Sequence, residues 1–200
     1  MITPPPGDDR TARDHMGLSA LNGRGASDEA CPPPARAEAV PETAPLVRRL
    51  PMTDPAATPL LRGLTEEYET RYGGGTTEMS AYDLADFVPP AGCFLVLTVA
   101  GRTVAGGGFR RLDPSTAEIK RMWTDPAYRR RGLARRVLSL LEAEAAARGY
   151  RRLRLETGLA QPEAVALYAA TGWDRCEGYG RHRDSPRAVF FEKRLSAPPR

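Results

Sequence analysis

The clearest local structural pattern in the sequence is Glu118-Ile-Lys-Arg-Met-Trp-Thr-Asp-Pro-Ala-Tyr-Arg-Arg-Arg-Gly-Leu-Ala134. Its first part favours a strand over about 116–124, which Asp125-Pro126 ends. Beyond Gly132, apolar residues recur at three- and four-residue intervals and predict a long helix that ends at Gly149. Amides at a helix start lack partners within the helix and lie at the positive end of its dipole, so this turn predicts a phosphate or pyrophosphate site. The alternative is a solvated basic turn that only starts a helix.

A second patterned stretch follows, Gln161-Pro-Glu-Ala-Val-Ala-Leu-Tyr-Ala-Ala-Thr-Gly-Trp173. The early proline and the late glycine bound a helix over about 161–170. Between the two helices, residues 152–157 predict a strand with alternating inward residues. Tyr168 lies at helical spacing from Val165, so it is either a core aromatic or part of a site.

Periodicity and turn residues predict the remaining elements. A strand at 47–50 precedes a long helix, which begins at Asp54-Pro55 and ends at the Gly73 to Gly75 loop. A short helix at about 80–87 follows, and then a hairpin of strands at 94–99 and 103–105. Two last strands are predicted at 173–179 and 188–195. The order is β-α-α-β-β-β-α-β-α-β-β. It predicts an α+β fold with a mixed, mostly antiparallel central sheet and helices on both faces.

Charge and composition divide the chain into three parts. Residues 1–45 are rich in Pro and Ala, carry a net charge of −3 and show no periodicity, which predicts a disordered tail. Residues 46–196 form the predicted domain, and 197–200 form a short C-terminal tail. Only two of the 29 basic residues are lysines, and a basic surface alone does not distinguish nucleic acid from phosphorylated small molecules.

The three cysteines are widely spaced and match neither a disulfide framework nor zinc-ligand spacing. No signal-peptide-like or membrane-spanning apolar stretch is present in the sequence. We therefore expect a soluble cytoplasmic protein with no metal site and no membrane partner.

The two quoted stretches resemble the GNAT superfamily of acetyl-CoA-dependent N-acetyltransferases. In that family a loop of pattern Gln/Arg-x-x-Gly-x-Gly/Ala opens a helix, and a later helix has the pattern Asn-x-x-Ala-x-x-Leu-Tyr-x-x-x-Gly-Phe. The resemblance covers roughly 46–196 and is most specific over 118–173. The order of elements predicted above is also the order of the GNAT fold, whereas residues 1–45 have no counterpart.

The resemblance implies which residues bind the donor, acetyl-CoA. Backbone amides of the loop would hold the coenzyme A pyrophosphate, and a strand edge would pair with the pantetheine arm. Gln161 replaces the family asparagine, which puts one contact to pantetheine in question. The implied loop residues are Arg129, Arg130, Arg131, Gly132, Leu133 and Ala134, and the implied strand residues are Met122, Trp123 and Thr124.

The resemblance also implies two catalytic residues. Tyr168 falls on the family tyrosine that protonates the departing thiolate. Glu118 falls where several members place a glutamate that removes a proton from the amine, usually through water. The alternative for Glu118 is an ion pair with Lys120 or a neighbouring arginine. Glu156 and His182 are further candidates for the base.

The predicted function is transfer of an acetyl group from acetyl-CoA to a primary amine by direct attack in a ternary complex. A small-molecule amine is favoured because no separate docking domain is present, and a homodimer is left open. The alternatives are an acyl-CoA-binding regulatory module and a protein acetyltransferase acting on lysines or N-termini. Nucleic-acid binding is disfavoured because the arginines cluster on the pyrophosphate loop and its helix rather than on an aromatic-interleaved sheet.

Overall fold

The computed structural model describes residues 44–73 and 79–196. The predicted tails, 1–45 and 197–200, lie outside the described residues, apart from residues 44 and 45. Gly74 and Gly75 of the predicted glycine loop also lie outside them. The elements are β1 (Leu46–Arg49), α1 (Thr58–Tyr72), β2 (Cys93–Val99), β3 (Arg102–Arg111), β4 (Thr116–Thr124), α2 (Leu133–Ala147), β5 (Arg152–Gly158), α3 (Pro162–Ala169), β6 (Asp174–Arg175) and β7 (Ala188–Arg194).

The strands form one sheet in the order β1-β2-β3-β4-β5-β7-β6. Only the β4–β5 pair is parallel, and α2 is the crossover between them. All other neighbouring pairs are antiparallel. The predicted mixed, mostly antiparallel sheet is therefore confirmed.

The helices cover both faces of the sheet, as the alternation of side chains along β2 illustrates. Leu95 and Leu97 point to the face covered by α2, where Val137, Leu138 and Leu141 are fully buried. Phe94 and Val96 point to the opposite face, where they pack with residues of α1. Two apolar layers thus hold β4 and β5 at the centre of the domain.

Two sequence predictions were longer than the observed elements. The helix expected at 80–87 is only the 3₁₀ turn Leu84–Phe87, because the Asp83 side chain caps Ala85 and fixes the start of the turn. The strand expected at 173–179 is only β6, which pairs with β7 through Asp174 and Arg175. Beyond it, the backbone at Gly178 lies against the Arg183 carbonyl oxygen, which would be 2.2 Å from a Cβ at this position.

The two central strands separate at one end, and this separation creates the site. Pairing of β4 with β5 ends at Ile119 and Leu155, although β4 continues to Thr124 and β5 to Gly158. At the same point β4 departs from regular geometry, because Arg121 has φ +61° and the pairing with β3 shifts register. The bulge bends β4 away from β5 and leaves the edge of its last residues facing an open cleft.

Candidate functional site

A cleft of about 490 Å³ opens between the separated ends of β4 and β5 and the start of α2. It brings together ten of the twelve residues predicted from the sequence for the site. These are Met122, Trp123, Thr124, Arg129, Arg130, Gly132, Leu133, Ala134, Gln161 and Tyr168. Arg131 and Glu118 are absent from its lining.

The start of α2 has the geometry of an anion site. Gly132 is the N-cap residue with φ +75°, and nothing lies within 4 Å of the position its Cβ would take. The first backbone hydrogen bond of the helix runs from the Arg136 amide to the Gly132 carbonyl, 3.0 Å apart, so the preceding amides have no partner in the helix. These amides and the helix dipole favour a phosphate at this point.

The arginines of the loop are not equivalent. Arg129 forms an ion pair with Glu67 of α1 at 3.0 Å, which ties the loop to the other side of the cleft. Arg131 instead stacks on Tyr128, 5.0 Å from the ring centroid, and points away from the cleft. Arg130 and Arg135 line the cleft, and Arg135 was missed from the sequence because it lies beyond the glycine pattern.

The end of β4 offers its backbone rather than its large side chains. Trp123 packs against α1 at Gly63, where a Cβ would lie 2.5 Å from the indole nitrogen. Thr124 lines the cleft, and among the described residues its buried hydroxyl has no hydrogen-bond partner. A buried hydroxyl without a hydrogen-bond partner costs free energy unless a bound molecule supplies the partner. A donor that carries amides along this strand edge would supply it.

Tyr168 lies at the base of the cleft with its ring in the core. Its centroid is 5.6 Å from that of Phe191 and 5.9 Å from that of Trp173. The ring is thus buried in the core, and the residue also lines the cleft. Burial, and to a lesser extent Tyr68, raises the pKa of Tyr168 above the ordinary tyrosine value. The phenol therefore stays protonated at neutral pH and can donate a proton.

Glu118 is engaged in the ion pairs that were the alternative to a catalytic role. It is 2% exposed and lies 2.8 Å from Arg110 and 3.2 Å from Lys120. Burial on its own disfavours the Lys120 charge, but Glu118, Tyr82 and Glu156 outweigh it and raise the lysine pKa. The carboxylate of Glu118 thus stabilises a buried cation, and it lines neither the cleft above nor the one described next.

A second cleft, of about 450 Å³, adjoins the first. The two share residues of α1, β4, β5 and the start of α3. The shared residues are Tyr68, Lys120, Glu156, Thr157 and Gln161. The second cleft continues along the loop before β7, and at the junction a molecule in one cleft could meet a molecule in the other.

Glu156 lies at this junction, on β5. Its Oε1 is 2.6 Å from His182 Nδ1, and its Oε2 is 3.6 Å from Lys120 Nζ. His182 lies in the 3₁₀ turn Gly180–His182 and lines the second cleft only. From the sequence, Glu156 and His182 were only reserve candidates for the base, because 26 residues separate them and their contact depends on the β5–β7 pairing.

The part of the chain that the structure describes contains neither a metal-site cluster nor a membrane-spanning helix. No group of three or more His, Cys, Asp or Glu side chains is arranged to hold a metal ion. None of the described helices is both long enough and apolar enough to cross a membrane.

The structure thus combines a sheet whose two central strands separate, a helix start that faces the gap and a tyrosine at the base of the cleft. The family model "Acetyltransferase (GNAT) family" matches residues 60–173. The chain belongs to the GNAT acetyltransferase family, as the sequence resemblance predicted, and members of this family use acetyl-CoA.

Similar proteins agree with this assignment. An uncharacterized N-acetyltransferase of Bacillus subtilis, YsnE, is 41% identical over 98 residues, which cover 48% of this chain and 65% of that protein. The uncharacterized N-acetyltransferase YjgM of Escherichia coli is 30% identical over 146 residues, which cover 66% of this chain and 84% of that protein. A structure from Klebsiella pneumoniae, described as an acyl-CoA N-acyltransferase, is 28% identical with a TM-score of 0.66 and covers 76% of this chain and 99% of that one.

Proposed function

We propose that this protein transfers the acetyl group of acetyl-CoA to the primary amine of a small molecule, with both substrates bound at once. The observation that carries the proposal is the junction of the two clefts at Glu156, because it lets a donor in one cleft meet an acceptor in the other. The second cleft, at about 450 Å³, has the size of a small-molecule pocket.

The first cleft would hold the donor. The amides that begin α2 would bind the pyrophosphate, with Arg130 and Arg135 adding charge at its mouth. The free edge of β4 beyond the bulge would pair with the pantetheine arm, and Thr124 would hydrogen-bond to it. Gln161 is bound within the protein by Thr157, whose hydroxyl donates to Gln161 Oε1 over 3.2 Å, so it supports the junction more than it binds pantetheine.

The reaction needs a base, because an ammonium group has no lone pair to attack the thioester. We assign the base to Glu156, directly or through one water, with His182 as a positioning residue. The amine nitrogen then attacks the thioester carbonyl, a backbone amide near the β4 bulge stabilises the oxyanion, and the carbon–sulfur bond breaks. The departing thiolate takes the phenol proton of Tyr168, and the nitrogen loses its second proton, which restores the phenol by way of water. The products are an N-acetylated amine, free coenzyme A and the proton first taken up by Glu156.

The assignment of the base predicts different outcomes for two glutamates on neighbouring strands. Glu156→Gln should lower kcat by about 100-fold, in the range of general-base effects, with little change in the affinity for acetyl-CoA. Glu118→Gln should instead weaken the ion pairs of Arg110 and Lys120 and lower the melting temperature. Steady-state kinetics and thermal unfolding of both variants measure the contrast.

The result that would move the base back to Glu118 is the reverse pattern. In that case Glu118→Gln would keep its melting temperature and lose turnover, while Glu156→Gln would stay active. His182→Gln provides a further check, because loss of a positioning residue should lower kcat less than Glu156→Gln does and leave the KM for acetyl-CoA nearly unchanged.

A route through an acetylated cysteine is disfavoured. Burial raises the pKa of the Cys93 thiol and of the Cys176 thiol, so the reactive thiolate is depleted in both. Neither residue lines either cleft. Replacement of Cys31, Cys93 and Cys176 by alanine should leave kcat within a few-fold of wild type in the folded fraction, and an acetylated cysteine trapped by rapid quench would contradict direct transfer.

The proposed function is tested by supplying purified protein with acetyl-CoA and a panel of primary amines and measuring free thiol. Transfer is confirmed by mass spectrometry of the acetylated amine. Initial rates at varied concentrations of both substrates should give intersecting double-reciprocal lines, as a ternary complex requires. Parallel lines would indicate a covalent intermediate, and binding of acetyl-CoA without acetylation of any amine would indicate a regulatory module.

A further inference from the structure

The second cleft carries an excess of positive charge at the end away from the donor. Arg181 and Arg187 both line it, and both are exposed. Within residues 44–73 and 79–196, neither guanidinium has an ion pair or a hydrogen bond. By contrast, the acidic residue of the cleft, Glu156, is already shared between Lys120 and His182.

The backbone holds both arginines in fixed places. Arg187 directly precedes β7, and its carbonyl accepts a hydrogen bond of 2.9 Å from the Leu159 amide at the end of β5. The Arg187 amide donates to the Ser185 hydroxyl over 3.3 Å, and the Ser185 amide donates to the His182 carbonyl over 2.9 Å. Arg181 lies in the same 3₁₀ turn as His182, which Glu156 anchors. The two charges therefore project from an ordered loop.

This arrangement conflicts with an acceptor that carries only an amine. Such a molecule enters as an ammonium cation, which Glu156 attracts but Arg181 and Arg187 repel. A second, anionic group on the acceptor removes the conflict, because guanidinium groups bind carboxylates in bidentate geometry. With its carboxylate at the arginines, the molecule would point its amine toward Glu156 and the donor.

We infer that the acceptor is an amine that also bears a carboxylate, an amino acid in the broad sense, and that Arg181 and Arg187 bind this carboxylate. The inference rests on the proposed N-acetyltransferase function. Tyr68 and Tyr72, with ring centroids 6.3 Å apart, form the α1 side of the same cleft and supply an apolar wall for the rest of the molecule. The arginines therefore select the class of acceptor, and they take no part in the chemistry.

The first test compares matched sets of acceptors in the thiol-release assay. Each set contains an α-, β- or γ-amino acid, its primary amide, and the amine that lacks the carboxyl group, and 2-aminoethyl phosphate is added as a different anion. We expect kcat/KM to be at least tenfold higher for the carboxylate than for the other members of the best set. Equal rates across a set, rates confined to the neutral members or to the phosphate, or no turnover of any amino acid would overturn the inference.

The second test uses variants of the loop. Arg181→Ala and Arg187→Ala should each raise KM for the amino acid by about tenfold, with kcat and the KM for acetyl-CoA nearly unchanged. Arg183→Ala is the matched control, because Arg183 lies in the same loop, pairs with Asp184 and does not line the cleft. The amide of the same amino acid should show no effect of any of these substitutions.

The outcomes separate this inference from the proposed function. If the arginine variants affect the amino acid and its amide equally, or affect neither, the carboxylate site is refuted although amine acetylation continues. If the wild-type protein acetylates no amine of any kind, including peptide amines, the proposed function itself fails.

Discussion

Gly132→Glu should abolish measurable binding of coenzyme A. The substitution places a side chain at a backbone φ of +75°, which only glycine adopts without strain, and its Cβ would enter the open space before the helix. The glutamate would add a negative charge where the unpaired amides and the dipole favour a phosphate. We expect the Kd measured by calorimetry to rise by at least about 100-fold, which corresponds to the loss of roughly two charge-assisted hydrogen bonds.

Gly149→Glu is the matched control for this prediction. Gly149 follows the other end of α2, has φ +85°, and likewise has open space around its missing Cβ. It lines neither cleft, so the backbone strain is reproduced without the charge at the site. Equal loss of coenzyme affinity in the two variants would mean that strain in α2, and not the anion site, explains the effect.

Tyr168→Phe should lower kcat by about 100-fold or more, the usual scale of general-acid catalysis, while leaving the Kd for acetyl-CoA within about threefold. The ring would keep its contacts with Trp173 and Phe191, because only the hydroxyl is removed. The melting temperature should therefore stay close to that of wild type. Single-turnover measurements of thiol release check the chemical step apart from product release.

The pH dependence gives an independent check on Tyr168. Because its pKa is raised above the ordinary value of 10.0, the phenol remains protonated, and able to donate, through neutral and mildly alkaline pH. The pH profile of kcat should thus show no loss from this group below about pH 10. Unchanged turnover of Tyr168→Phe at every pH would remove the hydroxyl from the mechanism.

Most residues of the cleft that we propose for the donor could be identified from the sequence because they are encoded locally. A strand end, a loop with glycine at a fixed place and a helix start occur within residues 116–136, and short-range rules determine how they fold. The exception is Arg131, whose side chain stacks on Tyr128 instead of facing the cleft. The direction of an individual side chain depends on neighbours that a short sequence pattern does not specify.

The cleft that we propose for the acceptor could not be predicted in the same way because long-range pairing assembles it. Tyr72, Glu156 and Arg187 meet only when α1 packs beside β5 and the β5–β7 register is set. Glu118 illustrates the same limit, since its partner Arg110 lies directly opposite on β3 beyond a register shift in that pairing. From the sequence alone, Glu118 is therefore equally consistent with a catalytic base and with a member of an ion pair.

A mass-spectrometric assay of acetyl transfer, with purified wild-type protein and Tyr168→Phe, tests whether this protein acetylates amines and whether Tyr168 takes part. Acetyl-CoA and a panel of amines that includes amino acids and their amides would be supplied to both. We expect an N-acetylated amine and one equivalent of free coenzyme A with wild type, and a rate lower by about 100-fold with the variant. Binding of acetyl-CoA with no acetylated amine, or equal rates for the two proteins, would contradict this expectation.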